Sequence, residues 1–323
     1  MRPTLHPHLV NGRFGDPALF VELLHRRDSI LFDMGDLSPL SARDLLRVET
    51  VCISHMHIDH FIGFDALLRV NVGREKRIRM IGPEGLIEAV GHKLHGYTWD
   101  LAHKYAEDLC FDVWETGGAA ARFRFKAAFA GEALAEPFAV PGLTLTHAVL
   151  EHHGPSIGYA IAEPVHVNVW RNRLAERGLA PGQWLQALKA AVRDGAADDT
   201  VVATPGGQAP LGALRDLVSV EPGQKLAYVT DVADTPGNRR AIADLARDAD
   251  LFFLESRFAA DDEALARDRA HLTTRAAGEI GRAAGVRRLE PFHFSPRYEG
   301  AEERMLAEVR EAFQHLPSMA GHG

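Results

Sequence analysis

Four side chains able to bind a metal ion, His55, His57, Asp59 and His60, fall within six residues in the stretch Ser54-His55-Met56-His57-Ile58-Asp59-His60. The run before it, Thr50-Val51-Cys52-Ile53, is short, apolar and largely β-branched, the pattern of a buried strand. After it, Phe61, Phe64 and Leu68 recur at spacings of three and four, which predicts a helix over residues 59–70. The ligands therefore stand where a strand leaves the core and a helix begins. In extended chain His55 and His57 point the same way and suit one cation, while Asp59 and His60, past the turn, can face a second. The chain has 17 histidines, so chance can bring two such residues together, but rarely all four in this order at such a junction.

The elements that must position these residues can be read around them. Leu19 to Leu24 and Ser29 to Asp33 read as strands about a charged turn, followed by the turn Asp33-Met34-Gly35-Asp36, where Asp33 is placed to support the ligand loop. Ile78 to Ile81 reads as a strand and Pro83 to His92 as a helix. Residues 93–142 have no firm period, although the Ala-, Gly- and Phe-rich part after Gly117 has room for edge strands. An alternating strand, Leu143-Thr144-Leu145-Thr146, leads into a second histidine-rich stretch. Residues 164–222 read as an arm or insertion with one helix, Trp184 to Val192, and loop from Gly195 to Gly223. Lys225 to Thr230 is a strand ending at Asp231, Asn238 to Arg247 a helix, and Leu251 to Leu254 a strand ending at Glu255. A further helix opens at His271-Leu272-Thr273 and stops at Gly285.

With 323 residues, 46% of them hydrophobic and 25% charged, the chain is long enough for a large core and fits a single domain spanning residues 1–323. Its net charge of −8 and lack of any basic block argue against a surface built wholly around nucleic acid, though local phosphate contacts are compatible with it. The only cysteines, Cys52 and Cys110, lie in apolar runs, which implies reduced thiols. No apolar segment near Met1-Arg2-Pro3-Thr4-Leu5-His6-Pro7 suits a leader and no run approaches membrane-spanning length, so the expected location is the cytoplasm.

The His-x-His-x-Asp-His stretch resembles the signature of the metallo-β-lactamase superfamily, and later segments are similar to its ribonuclease Z branch, which trims the 3′ ends of tRNA precursors. Those segments are His147-Ala148-Val149-Leu150-Glu151-His152-His153-Gly154-Pro155-Ser156-Ile157-Gly158-Tyr159, the helix opening at His271, and Pro291-Phe292-His293-Phe294-Ser295-Pro296-Arg297-Tyr298. The resemblance implies an αββα sandwich of two mixed sheets with flanking helices. It implies two divalent metal ions. His55, His57 and His152 would take the first, Asp59, His60 and His293 the second, and Asp231 would bridge. His153 and His147 compete with His152, and Asp234 with Asp231. A donor set of imidazole and carboxylate without thiolate suits zinc, with Mn2+ or Fe2+ as alternatives. Asp59 would orient the attacking water. His271 would stand near the leaving group with Glu255 behind it, and Arg297 would grip a phosphate, with Ser156 and Tyr159 as further substrate contacts. Arg177-Gly178-Leu179-Ala180-Pro181-Gly182 is similar to part of the branch's tRNA-gripping arm. The expected activity is a metal-dependent hydrolase, a phosphodiesterase or endoribonuclease acting on a tRNA precursor or a smaller phosphodiester; homodimerisation is compatible, membrane association is not expected. The sequence departs from the branch at Ala160, where Arg is common, and lacks its basic N-terminal loop and the usual Glu-Gly-Thr turn. A hydrolase of another ester (sulfate ester, lactone or thioester) and a non-catalytic metal-binding module are the alternatives.

Overall fold

Alternation of side chains along the strands accounts for two sheets that share an apolar interface. The first sheet sets β1 (Leu5–Leu9), β2 (Leu19–Leu23), β3 (Ser29–Phe32), β4 (Val48–Cys52), β5 (Lys76–Gly82), β6 (Leu109–Glu115), β7 (Ala120–Arg124) and β8 (Gly131–Ala133) side by side in chain order. Strands β3 to β6 run parallel, with antiparallel strands at either flank. Leu31, Val51 and Met80 face outward into a core completed by helices α1 (Ala42–Arg47), α3 (Phe64–Asn71) and α4 (Leu86–His95). The short α2 (Ile58–Phe61) precedes α3. Neighbouring Phe32 faces the other way, stacking on Tyr228 with ring centroids 5.4 Å apart and meeting Tyr159 at 6.1 Å.

Tyr159 and Tyr228 belong to the second sheet. It is formed by β9 (Thr144–Glu151) and β10 (Pro155–Ala162) with three strands from the end of the chain. Between them come β11 (His166–Val169), β12 (Val201–Thr204), β13 (Gly207–Pro210) and β14 (Val218–Glu221), with helices α5 (Arg171–Glu176) and α6 (Trp184–Arg193). Completing the sheet, β15 (Lys225–Val229), β16 (Leu251–Glu255) and β17 (Leu289–Phe292) run parallel. Its outer face packs on α7 (Pro236–Leu245) and α9 (Thr274–Ala283) through Ala227, Phe252, Leu254, Ile242 and Ala277. Two more helices, α8 (Glu263–Asp268) and α10 (Glu302–Gln314), follow the same half. This is the αββα arrangement of two mixed sheets and flanking helices. The computed structural model describes residues 4–314; residues 1–3, part of the stretch read for a leader, lie outside the described residues, as do 315–323. Among the described residues, no helix is long and apolar enough to cross a membrane.

Residues 162–224, with 141–144, form a second compact unit. It has its own core of Val167, Leu174, Leu188, Val202, Leu211 and Leu214. The loop expected over 195–223 is corrected: that stretch holds β12, β13 and β14 with a 3-10 turn at Leu211–Leu217. Val202, Leu211, Leu214 and Leu217 supply the buried positions, the three leucines recurring every third residue along the 3-10 turn. Arg177 pairs with Asp216 at 2.5 Å and Arg215 with Asp198 at 2.6 Å, so part of this unit's positive charge is neutralised internally.

The single helix expected over 59–70 is broken into α2 and α3 at Ile62 and Gly63. The break follows from a close approach. Gly63 N–H donates to Met34 O at 2.8 Å, and a side chain at Gly63 would stand 2.3 Å from Gly35 O. A Cβ at Gly35 would in turn meet Asp59 O at 2.8 Å. Glycine at both positions lets the 33–36 turn lie directly on the ligand segment. The helix expected from Pro83 begins three residues later, at Leu86, because Pro83 O accepts the Leu86 N–H in a preceding turn.

Candidate metal centre

The side chains that could hold metal stand at or just beyond the C-terminal ends of parallel strands. Asp33 follows β3, His55 follows β4, Asp231 follows β15, Glu255 ends β16 and His293 follows β17. This is the edge at which α/β sheets gather ligands from residues far apart in sequence. His152 comes from the turn between β9 and β10. Asp33, Asp231 and His293 all have positive φ (+55°, +46° and +57°). Non-glycine residues rarely take this conformation, and its clustering here marks backbone bent to aim side chains.

Among the described residues three overlapping groups of donors result, the third of them, Asp231, His271 and His293, sharing members with the other two. His55, His57, His152 and Asp231 each offer an atom within 4.8 Å of the others, and so do Asp59, His60 and His293. Asp231 Oδ2 lies 3.6 Å from His55 Nε2, 3.5 Å from His60 Nε2 and 3.7 Å from His152 Nε2, between the two groups. Its other oxygen accepts from Thr230 Oγ1 and from His293 Nδ1, both at 2.8 Å. Asp234, the alternative bridge, is instead tied to Arg239. His147 sits on exposed β9 outside the donor groups, and His153 lies tilted beside His152, ring centroids 4.4 Å apart, and belongs to none of them.

Partners behind the histidines fix which nitrogen faces the cluster. Asp33 is fully buried and accepts from Ser54 N, Ser54 Oγ, His60 Nδ1 and Tyr228 OH at 2.7–3.0 Å. Ser54 Oγ, having donated to Asp33, accepts from His55 Nδ1 at 3.0 Å. His152 Nδ1 donates to Ala270 O at 2.8 Å. Each ring thus turns Nε2 inward. The Nε2 atoms of His55 and His60 are buried with no hydrogen-bond partner. Leaving a buried nitrogen unpaired costs about 1–3 kcal/mol, so two facing one carboxylate fit a bound cation. The residues present suit divalent metal.

Electrostatics separate the rings. Burial, reinforced by neighbouring His60, pushes the His55 imidazole down to about 2, so it is a neutral donor. Burial also lowers His152. At His60 burial acts downward, but the Asp231 and Asp33 carboxylates outweigh it and raise the ring well above its ordinary value. Asp231 is likewise held well below the carboxylate range: burial opposes this, and His293 and His60 overcome it.

His271 and Glu255 form a separate pair at the edge of the cluster. The Glu255 carboxylate, fully buried, accepts from His271 Nδ1 at 3.0 Å and from Val232 N at 2.7 Å. This ties the imidazole to the turn that carries Asp231. His271 precedes α9 rather than opening it; Thr273 caps that helix. A cleft of about 350 Å³ lies over these groups, lined by Asp59, His152, Asp231, His271 and three arginines, Arg257, Arg269 and Arg297. Arg257 and Arg269 were not expected from the sequence; the available signal was Arg257 two residues past the end of a strand that carries a site residue.

The expectation that Ser156 and Tyr159 touch substrate is corrected. Both are completely buried. Ser156 Oγ donates to Thr230 O at 3.1 Å, and Tyr159 OH donates to Ile53 O at 2.7 Å. Their hydroxyls are spent on pinning β10 against the strand ends that carry His55 and Asp231. Substitution of Asp33 tests the support of the rings: Asp33→Asn should weaken metal binding by about 10–100-fold, read by competition with a chelator. Unchanged affinity would remove Asp33 from the account of ring orientation.

The comparisons with known proteins agree with this fold. The sequence model of the β-lactamase superfamily domain matches residues 180–294. Ribonuclease Z of Deinococcus radiodurans is 32% identical over 302 residues, covering 88% of this chain and 87% of that protein. Ribonuclease Z of Kineococcus radiotolerans is 30% identical, covering 89% and 81%. Among solved structures, a metallo-β-lactamase-fold protein of Bacillus subtilis has a TM-score of 0.56 at 16% identity, covering 94% of this chain and 92% of that one. The short form of human tRNase Z has a TM-score of 0.51 at 17% identity, covering 91% and 92%. These two share the fold. Fold and donor set define a hydrolase of the metallo-β-lactamase class, built around divalent metal. Within that class, the chain belongs to the ribonuclease Z family.

Proposed function

We propose that the protein is a two-metal phosphodiesterase that cuts the 3′ trailer from tRNA precursors, working in the cytoplasm with zinc. The observation that carries this reading is the cleft in which Arg257, Arg269 and Arg297 face the histidine–aspartate cluster and His271. Guanidinium groups suit the non-bridging oxygens of a phosphate and would be wasted on a lactone or thioester. The ribonuclease Z relatives match over most of their length, which favours RNA over a small ester. Zinc is preferred because every donor is imidazole or carboxylate; Mn2+ or Fe2+ would be accepted by the same atoms. Cys52 and Cys110 are both free thiols, in keeping with a reducing compartment.

The roles follow from position. His55, His57 and His152 would hold one ion and Asp59, His60 and His293 the other, with Asp231 between them. Bound ions would supply a water ionised near neutral pH, against a bulk value of ~15.7. Asp59, whose side chain is 34% exposed, reaches the cleft and would orient that water. Arg297, exposed and lying over the Phe258 ring at 5.8 Å, would hold a phosphate oxygen. His271, aimed by Glu255, would protonate the departing oxygen from Nε2. Residues 164–222 would act as the arm that grips the tRNA body.

A smaller phosphodiester is the second reading. It is favoured by the internal pairing of Arg177 and Arg215, which thins the arm's charge for RNA. One panel separates these: a tRNA precursor with a 3′ trailer, a simple phosphodiester, a sulfate ester, a lactone and a thioester. Expected is a single endonucleolytic cut in the precursor, slower hydrolysis of the simple diester, and no turnover of the carbon esters. Turnover of the lactone or thioester above both phosphodiesters would overturn the reading.

A further inference from the structure

We infer that Arg257 competes with a metal ion for His293 and, once displaced, becomes a phosphate-binding residue of the cleft. This rests on the two-metal phosphodiesterase reading above. His293 has two ring nitrogens with separate neighbours. Nδ1 is committed to Asp231 Oδ1 at 2.8 Å, with Thr230 Oγ1 at 3.4 Å. That leaves Nε2, 3.8 Å from Asp59 Oδ2, as the atom through which His293 joins Asp59 and His60. Arg257 Nη1 stands 2.6 Å from the same Nε2.

A guanidinium can only donate and stays charged at any accessible pH. The contact therefore uses the Nε2 lone pair, which is also what coordination to an ion would use. Guanidinium and ion cannot share it, so filling the Asp59–His60–His293 group requires Arg257 to move away. Among the described residues no arginine or lysine is hydrogen-bonded or ion-paired to a donor of the other group, His55, His57, His152 or Asp231, whose own contacts are with Ser54, His60, Thr230, Ala270, His293 and one another. The two groups should therefore differ in affinity, with the second the weaker because of Arg257. Arg257 follows β16 by two residues, and its side chain already lines the cleft with Arg269 and Arg297. A guanidinium released from His293 remains at that wall, where it adds a third fork for a phosphate oxygen.

The proposal makes two effects of one substitution run in opposite directions. In full-length protein stripped by chelator, zinc titration against a competing indicator should give two unequal affinities. Arg257→Met should tighten the weaker one by about ten- to a hundredfold, the range of a charge-assisted hydrogen bond. It should leave the tighter one unchanged. In the zinc-loaded protein the same variant should bind inorganic phosphate several-fold more weakly, read by inhibition of simple diester hydrolysis. Arg257→Lys keeps the charge without the planar fork, and should tighten zinc less than Arg257→Met does. Thermal melting of both variants identifies a folding defect, and Arg257→Lys carries the test if Arg257→Met fails to fold. A residue that merely supports the structure would weaken both metal and phosphate on removal. Weaker or unchanged zinc affinity in the folded variants would overturn the proposal, as would unchanged phosphate inhibition. Wild-type protein that binds a single zinc ion would instead refute the two-metal reading on which it stands.

Discussion

Asp231→Ala should reduce the metal content of purified protein from close to two ions per chain to well below one, and abolish hydrolysis with it. Three imidazole nitrogens, from His55, His60 and His152, surround one oxygen of this carboxylate at 3.5–3.7 Å. His293 and Thr230 bind the other. Among the described residues no second carboxylate stands between the two donor groups, so neither can bring its partner's ion close without Asp231. The backbone adds a second effect, which needs separating from the first. Asp231 has φ +46°, a region that costs an alanine roughly 1–2 kcal/mol but that asparagine tolerates. Asp231→Asn is therefore the cleaner variant: it keeps the size and the turn and removes only the charge. Both variants should lose metal, and Asp231→Ala should also melt lower. Metal analysis is the decisive measurement. Two ions retained in Asp231→Asn, or one ion in the wild type, would rule out a shared carboxylate.

The parts of this architecture that could be read from sequence are those in which one local pattern carries the information. The strand before His55, the strand ending at Asp231 and the strand ending at Glu255 are short apolar runs that close on a histidine or carboxylate of the candidate site. Such a run can be little else than a buried parallel strand. The strands at 120–133 and 201–221 were not legible, because they are short elements with exposed positions; β6 (Leu109–Glu115) is an interior, largely buried strand whose apolar run is interrupted by Asp112, which pairs with Arg122. The break at Gly63 depends on Gly35, 28 residues earlier, and no window along the chain contains both. The same limit explains Ser156 and Tyr159. The family resemblance implied contact with substrate, but β10 buries both: Tyr159 turns into the interface between the sheets, and Ser156, three positions earlier, lies on the strand's other face and bonds Thr230 O. Arg257 and Arg269 reach the cleft from segments whose local pattern marks only a strand end and a helix end. Spacing brings out the candidate ligands, therefore, while the residues that aim them or line the cleft depend on tertiary packing.

His271→Ala should retain both metals yet lose about 10²–10⁴-fold in rate on a substrate whose leaving group is an alcohol. An alkoxide departs poorly unless it gains a proton as its bond to phosphorus breaks, and an imidazole can deliver one near neutral pH. His271 is the histidine at the cleft whose Nδ1 is held by a carboxylate outside the metal groups: Glu255, at 3.0 Å. That bond fixes the ring and leaves Nε2 as the nitrogen not held by Glu255. The competing account makes His271 a ligand, since one of its nitrogens comes within 4.8 Å of donors on Asp231 and His293. Two observations decide between them. On a nitrophenyl phosphodiester, whose leaving group departs without a proton, a proton donor's removal should cost far less than on the alkyl diester, whereas a ligand's removal should cost both alike. Metal content should be unchanged in the first case and reduced in the second. Glu255→Gln should follow His271→Ala in its leaving-group selectivity with a smaller loss, because the amide can still accept from Nδ1 but no longer offers a negative charge. Equal losses of kcat on the two diesters, with metal intact, would leave His271 without a part in proton transfer.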